Sequence, residues 1–277
     1  MAFGKVWHTE ASIRRTVKGK GGAMEKKISD IKNELMAADE SALPVFVERY
    51  GNDERSGVKA LVTRAKNRIE ALEQEVQRIE VMRQYEREYA ACGYICGIDE
   101  AGRGPLAGPV VAGAVILPAG CKILYLNDSK QLSAKKREEL YTVIMREAVA
   151  AGVGCVSHER IDEINILQAT YEAMREAINR LGVKPDLLLN DAVTIPEVAI
   201  RQVPIIKGDA KSISIAAASI VAKVTRDRLM VEYDKLYPEY HFAKNKGYGA
   251  AEHTDALKKY GPSPIHRKSF IGNFVDI

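Results

Sequence analysis

The chain has 277 residues, 46% hydrophobic and 28% charged, enough for one large domain or two of unequal size around a real core. Its net charge is only +4, so no global attraction to an acidic partner follows. The longest apolar runs, 110–117 and 213–222, fall short of the roughly 18–20 residues that span a bilayer, and no leader pattern opens the chain; a cytoplasmic protein with no membrane partner is expected.

Residues 1–23 are glycine- and lysine-dense near their end and show no apolar period, which predicts a flexible arm, with Met24 as an alternative start. Residues 24–92 read as a helical module. Ile28, Ile31 and Leu35 share one face of a first helix, 42–50 form a short second one, and 51–53 are a break. A long helix follows, with Val58, Val62, Ala65, Ile69, Leu72, Val76 and Ile79 spaced alternately by four and three. That narrow seam packs within its own module, pairs with a second copy, or docks onto nucleic acid. Its surface carries both signs of charge, which does not favour phosphate binding.

At Gly93 the pattern changes, and 93–277 read as a second domain. Strands are predicted over 94–98, 110–117, 153–157, 187–189 and 203–206. Helices are predicted over 133–151, with Ser133 as N-cap, and over 162–181, 212–236 and 250–260. Two strands before any helix, then alternation, predict a mixed sheet with helices packed on it. The small residues Ala216, Ala217, Ala218 and Ser219 allow the 212–236 helix to approach that sheet closely. From Arg201 onward there are 13 lysines and arginines against 8 acidic residues, with scattered tyrosines, a composition compatible with a phosphate backbone.

Acidic residues stand at three apolar strand ends: Asp99 with Glu100, then Asp191, then Asp209. One carboxylate at a strand end is an ordinary turn or cap residue. Several brought together would repel strongly unless a cation relieved them. Oxygen ligands without histidine select Mg2+ or Mn2+ over zinc, and a pair of such ions can serve phosphodiester hydrolysis. His158, His241, His253 and His266 lack metal-ligand spacing. Cys92, Cys96, Cys121 and Cys155 form no CxxC pair and read as reduced structural thiols. Gly102 and Gly104 around Arg103 permit close backbone approach to a sugar hydroxyl or phosphate. A dinucleotide fingerprint is disfavoured, because the third glycine comes one position late and Pro105 and Pro109 oppose a helix. Ser129, Lys130, Lys207, Lys223 and Arg226 are candidates for phosphate contact. Ser212, Ser214 and Ser219 belong to no nucleophile–base pattern.

The run Gly97-Ile-Asp-Glu-Ala-Gly-Arg-Gly-Pro-Leu-Ala-Gly-Pro-Val-Val111 resembles the opening motif of the ribonuclease HII family. Asp128-Ser-Lys-Gln-Leu132, Lys207-Gly-Asp209, Ser214-Ile-Ala-Ala-Ala-Ser219, Ala222-Lys-Val-Thr-Arg-Asp227, Lys246-Gly-Tyr-Gly249 and His266-Arg267 follow in order. The likeness spans 95–270, and residues 24–92 resemble the extension of some bacterial members. It implies an α/β ribonuclease H-like fold, a mixed β-sheet flanked by helices and preceded by a small all-α module. It implies that Asp99, Glu100, Asp191 and Asp209 are catalytic and hold two Mg2+ or Mn2+ ions. Gly102, Arg103 and Gly104 would contact the ribonucleotide at an RNA–DNA junction, and Tyr248 would lie by the junction sugar. The arginine separates the motif from that of ribonuclease HIII, which usually has lysine. Gln131 stands where a second lysine is frequent, and Asn190 where an apolar residue is common. The implied activity is endonucleolytic cleavage 5′ of ribonucleotides, in RNA–DNA hybrids and in DNA duplexes with embedded ribonucleotides, by a monomer. A hybrid-binding module without catalysis is the rival, disfavoured because all four carboxylates are present. The N-terminal module would then be a clamp or tether.

Overall fold

The apolar spacing along the first helices produces part of the packing it predicts; Ile28 of the first expected face and Val76 of the long seam stay exposed. A computed structural model describes residues 26–275; the expected arm over 1–23 and the start at Met24 lie outside them. Helix α1 (Ile28–Ala37) turns Ile31 and Leu35 inward, α2 (Leu43–Tyr50) turns Leu43, Phe46 and Tyr50, and α3 (Ser56–Met82) adds Val58, Val62 and Ala65 to the same cluster. Asp39 caps the turn before α2 by accepting the Ala42 amide at 3.0 Å, and Pro44 sits in the first helical turn, where its missing N–H costs nothing.

Packing divides the chain between Ala71 and Leu72, earlier than the change of periodicity at Gly93. The physical reason is in the last turns of α3: Ile79 and Met82 are buried in a core cluster of the second unit. Helix α4 (Gln84–Glu88) follows.

In that second unit, β1 (Ile95–Ala101), β2 (Val110–Ile116), β3 (Ala150–Val156), β4 (Leu187–Asp191) and β5 (Arg201–Ile205) form one sheet in the order β3-β2-β1-β4-β5. The β1–β2 and β2–β3 pairs are antiparallel, with Glu100 opposite Ala112. The β1–β4 and β4–β5 pairs are parallel, with Gly97 beside Leu189 and Asn190 beside Pro204. β3 and β5 are therefore the edges. Helix α6 (His158–Asn179) covers one face, where Ala169, Ala173, Met174 and Ala177 meet Ile98, Val110 and Ala112. Helices α5 (Ala134–Glu147) and α7 (Ile213–Leu236) cover the other, with Leu140, Ile144, Ala216, Ala217 and Ile220 in its cluster. Each fully buried Ile or Leu contributes roughly 1.5–3 kcal/mol. This is the expected mixed sheet flanked by helices.

α7 lies against β1 and β2 at backbone distance. A Cβ on Gly97 would stand 2.0 Å from the Ser214 carbonyl carbon, and one on Gly113 would stand 2.4 Å from the Ala218 oxygen. Only glycine allows that approach. Ser212 caps the helix by accepting the Ile215 amide at 3.2 Å. Glu86 Oε1 then accepts the Ser212 hydroxyl at 2.5 Å and the Ser214 amide at 3.0 Å.

Several elements differ from expectation. The helix predicted over 133–151 keeps its Ser133 cap but ends at Glu147, because the Val149 amide bonds the Ile116 carbonyl at 2.9 Å and starts the pairing of β3 with β2. β1 runs past Ile98 to Ala101, so Asp99 and Glu100 lie inside the strand. The short helices α8 (Phe242–Asn245) and α10 (Lys268–Ile271) flank α9 (Ala251–Tyr260) and are too brief to carry a period. Among the described residues no helix is long and apolar enough to cross a membrane.

Candidate active site

Parallel strands place their C-terminal ends side by side, and in this sheet those ends carry acid. β1 delivers Asp99, and its parallel neighbour β4 ends on Asp191. β5 stops at Ile205. Lys207 then takes a left-handed turn at φ 57°, and a short 3-10 turn, Gly208–Ala210, presents Asp209. The Gly208 amide donates to Asp191 Oδ1 at 2.7 Å, tying this turn to β4. One carboxylate oxygen from each of Asp99, Asp191 and Asp209 lies within 4.8 Å of the others.

Two unit charges about 4 Å apart repel by about 4 kcal/mol at an effective dielectric near 20, and the protonation behaviour shows it. Burial, then the charges of Glu100 and Asp191, push the Asp99 carboxyl well above the usual carboxylate range, against the Ser219 hydroxyl and the Glu100 amide. Burial, then Asp128 and Asp191, raise Asp209, with Lys130 opposing. Glu100 is raised too, by burial first and by Asp191, with Arg103 opposing. Its carboxylate stands outside the aspartate trio and faces Arg103 at 3.4 Å. Asp191 adds to the rise of both Asp99 and Asp209, and the trio supplies oxygen donors alone and includes no histidine. Such a set fits a hard divalent cation.

A cleft of about 760 Å³ opens beside the acids. Its lining includes Glu100, Gly102, Arg103, Gly104, Ser129, Lys130, Lys223, Tyr248 and Phe270. Gly102 has φ +95°, and a Cβ there would meet Arg226 Nε at 2.1 Å, so both backbone and space require glycine. Tyr248 is 41% exposed. Its ring edge is 4.0 Å from where a Gly104 Cβ would sit, and Lys223 Nζ lies 5.7 Å from its centre. Ser129 is buried and accepts the Ser219 hydroxyl at 2.9 Å. Burial works against the charge on Lys130, but Asp128, Asp99 and Asp209 raise its pKa overall.

Two expected phosphate contacts are placed otherwise. Arg226 is fully buried, donating to the carbonyls of Pro109 at 2.9 Å, Lys246 at 2.8 Å and Ala107 at 3.0 Å; no phosphate reaches it. Lys207 is exposed and lies outside the cleft lining, carried off by its left-handed turn. Asn190 is fully buried, and its amide donates to the Val193 carbonyl at 3.1 Å and to Gln202 Oε1 at 2.8 Å. It thereby pins the strand ends beside Asp191.

Sequence reasoning missed Asp128, whose charge acts on Asp209, and the role of Arg267. That residue is fully buried and donates to Gly102, Arg103 and Gly108 carbonyls at 2.6, 2.9 and 2.9 Å. The available signal was its place beside His266, shortly after the proline-containing stretch 262–264.

The comparisons with known proteins agree with this geometry. The family model described as ribonuclease HII matches residues 96–273, and the one described as ribonuclease HII N-terminal domain matches 27–90. The chain is 66% identical over 252 residues to the ribonuclease HII of Lachnoclostridium phytofermentans, covering 91% of this chain and 99% of that protein. It is 50% identical over 253 residues to that of Clostridioides difficile, with the same coverage. Among solved structures it is similar to the ribonuclease H2 of Pyrococcus horikoshii, with TM-score 0.52 and 30% identity, covering 64% of this chain and 93% of that one. It is also similar to the ribonuclease HII of Archaeoglobus fulgidus, solved in complex with PCNA, with TM-score 0.54 and 30% identity, covering 64% and 94%. The acid-ended parallel strands, the glycine–arginine–glycine cleft and these matches converge: the chain belongs to the ribonuclease HII family and is a type 2 ribonuclease H.

Proposed function

We propose that the protein is an endonuclease hydrolysing the phosphodiester 5′ of ribonucleotides, in RNA–DNA hybrids and in DNA duplexes with embedded ribonucleotides, leaving 3′-hydroxyl and 5′-phosphate ends. The observation that carries this reading is the convergence of Asp99, Asp191 and Asp209 within one cluster, with Asp99 and Asp209 each raised by burial and by the charge of Asp191.

In this reading Asp99, Glu100, Asp191 and Asp209 hold two Mg2+ or Mn2+ ions. Such ions supply water activation and stabilisation of the departing oxygen. The protein's residues do the placing. Asp99 is fixed by the Glu100 amide at 2.8 Å and Asp191 by the Gly208 amide at 2.7 Å, so ligand geometry is set before substrate arrives. Glu100 joins the set by leaving Arg103, which frees the guanidinium for substrate. Gly102, Arg103 and Gly104 present backbone and charge to the 2′-hydroxyl, the group that distinguishes RNA from DNA. Tyr248 flanks the junction sugar across the same cleft. Ser129, Lys130 and Lys223 border the path of the phosphate backbone, whose contacts position without reading sequence. Residues 24–92 act as a module that tethers the catalytic part to substrate or partner, and the protein works as a cytoplasmic monomer.

Asp209→Asn is the test. Cleavage of a duplex with one ribonucleotide falls by at least about 10²-fold while the far-ultraviolet circular dichroism is unchanged; wild-type turnover by this variant overturns the reading. Mapping products on that duplex and on a full hybrid checks the cut position and the ends.

A further inference from the structure

Beyond the acids and the cleft, one buried polar cluster has no part in the chemistry described above. His253 and His266 are buried to 0% and 3% exposure and face each other, Nε2 to Nε2, at 2.9 Å. Two nitrogens on one tetrahedral zinc, each at about 2.0–2.1 Å, stand about 3.3 Å apart, so this pair is a hydrogen bond and not half of a metal site. Its direction follows from the neighbours. The Ser263 amide can only donate, and it points at His266 Nδ1 at 2.9 Å, with the Ser263 hydroxyl also at 2.7 Å. His266 Nδ1 is therefore an acceptor, and its proton is on Nε2. That proton goes to His253 Nε2, which leaves His253 with its proton on Nδ1, aimed at the Tyr248 carbonyl at 2.8 Å. Because its lone pair is already engaged by the amide, His266 Nδ1 is not a base for Ser263.

The relay ends where the cleft begins. Arg267, next to His266, donates to the Gly102 and Arg103 carbonyls. The Leu106 amide donates to the Gly247 carbonyl at 2.8 Å, the Arg267 amide to the Leu106 carbonyl at 2.9 Å. One buried dipeptide thus touches both walls, through Arg267 the Gly102-Arg103-Gly104 segment and through the histidines the backbone of Tyr248.

We propose that His253 and His266 are positioning residues for ribonucleotide selection: a one-way relay with a single allowed proton arrangement that, with Arg267, sets Tyr248 against Gly102-Arg103-Gly104. This rests on the reading of those cleft residues as substrate contacts. Any added proton breaks the relay, since it would set two donors against each other at Ser263 N···His266 Nδ1 or at His253 Nε2···His266 Nε2. Desolvation, which lowers the pKa of both imidazoles, keeps them in the neutral form that the geometry demands.

The unmodified protein gives the direct test. Long-range 15N imidazole spectra at pH 7 show His253 protonated on Nδ1 alone and His266 on Nε2 alone; the opposite tautomer or a cation at either position overturns the relay. His253→Phe keeps a ring between Tyr240 and Phe242 and removes the donor. Its kcat/KM on a duplex with one ribonucleotide falls about 10-fold, while affinity for an all-DNA duplex of the same length changes less than twofold. His253→Asn, which retains a donor at the Nδ1 position, restores most of the loss. In the Tyr248→Ala background, His253→Phe has no further effect. Equal losses on both duplexes, no loss, or additivity with Tyr248→Ala defeats the proposal. If Tyr248→Ala itself leaves selection intact, the reading of Tyr248 fails instead, whatever the histidine variants do.

Discussion

Asp99 is a buried carboxylate that works against the fold. Its proton affinity is raised by burial and by the charges of Glu100 and Asp191, so its ionised form is less stable in the folded chain than in the unfolded one. The sign is fixed: without a cation, ionisation at neutral pH weakens the fold. Asp99→Asn should melt a few degrees higher than wild type in EDTA, should cut nothing, and should gain less from added Mg2+; a lower melting point in EDTA contradicts the argument. His266 has the opposite linkage. Burial, then His253 and His158, press its pKa to about 4, against about 6.5 in an unfolded chain. Its contribution is complete above about pH 6.5 and is lost as pH falls toward 4. A His266 13Cε1 shift titrating near 6.5 would refute this. At this scale the sequence was legible where chemistry follows from residue type. Asp99, Asp191 and Asp209 stand at or just after predicted strand ends in specific motifs, and the structure joins them. Arg226 and Arg267 were opaque, because an arginine reads as surface charge until main-chain carbonyls from distant loops are seen to close around it. The ion pair of Glu100 with Arg103 was hidden for a related reason: the motif places the two residues, but side-chain direction belongs to the loop that follows.

Among the elements, α7 is held at backbone distance from the sheet. Its first half touches β1 and β2 at glycine positions and also reaches the cleft, through Ser219 and Lys223. Gly97→Ala should push its first turn away from the sheet at a cost of about 3 kcal/mol, measurable as a lower urea midpoint with unchanged slope; a shift below about 0.5 kcal/mol would show that the helix yields freely. The small residues of 216–219 made that close packing readable beforehand. The end of α5 was not readable, since residues 148–151 continue an apolar helical pattern, and only pairing with β2 decides that Ala150 is strand. Nor could spacing reveal α8 and α10, which are single turns.

For the whole molecule, the segment after Leu72 matters as much as the motifs. Ile79, Met82 and Glu86 precede Gly93 yet serve the second unit, two in its core and one as the second cap of α7. A fragment beginning at Gly93 should be less stable by about 4 kcal/mol than one beginning at Leu72, from two lost apolar anchors and a lost cap; equal chemical denaturation midpoints would contradict this. The change of period at Gly93 was real in the sequence, but a period reports which face is apolar and not what that face touches. The edge strand β5 has a further consequence. A sheet border offers unpaired donors and acceptors to any other extended chain. Here Pro204, inside that strand, has no N–H to offer, and Arg201 at its start is charged and exposed. The border thereby resists templating a neighbouring molecule, so crowding should leave the enzyme dispersed where a Pro204→Val protein would begin to self-associate.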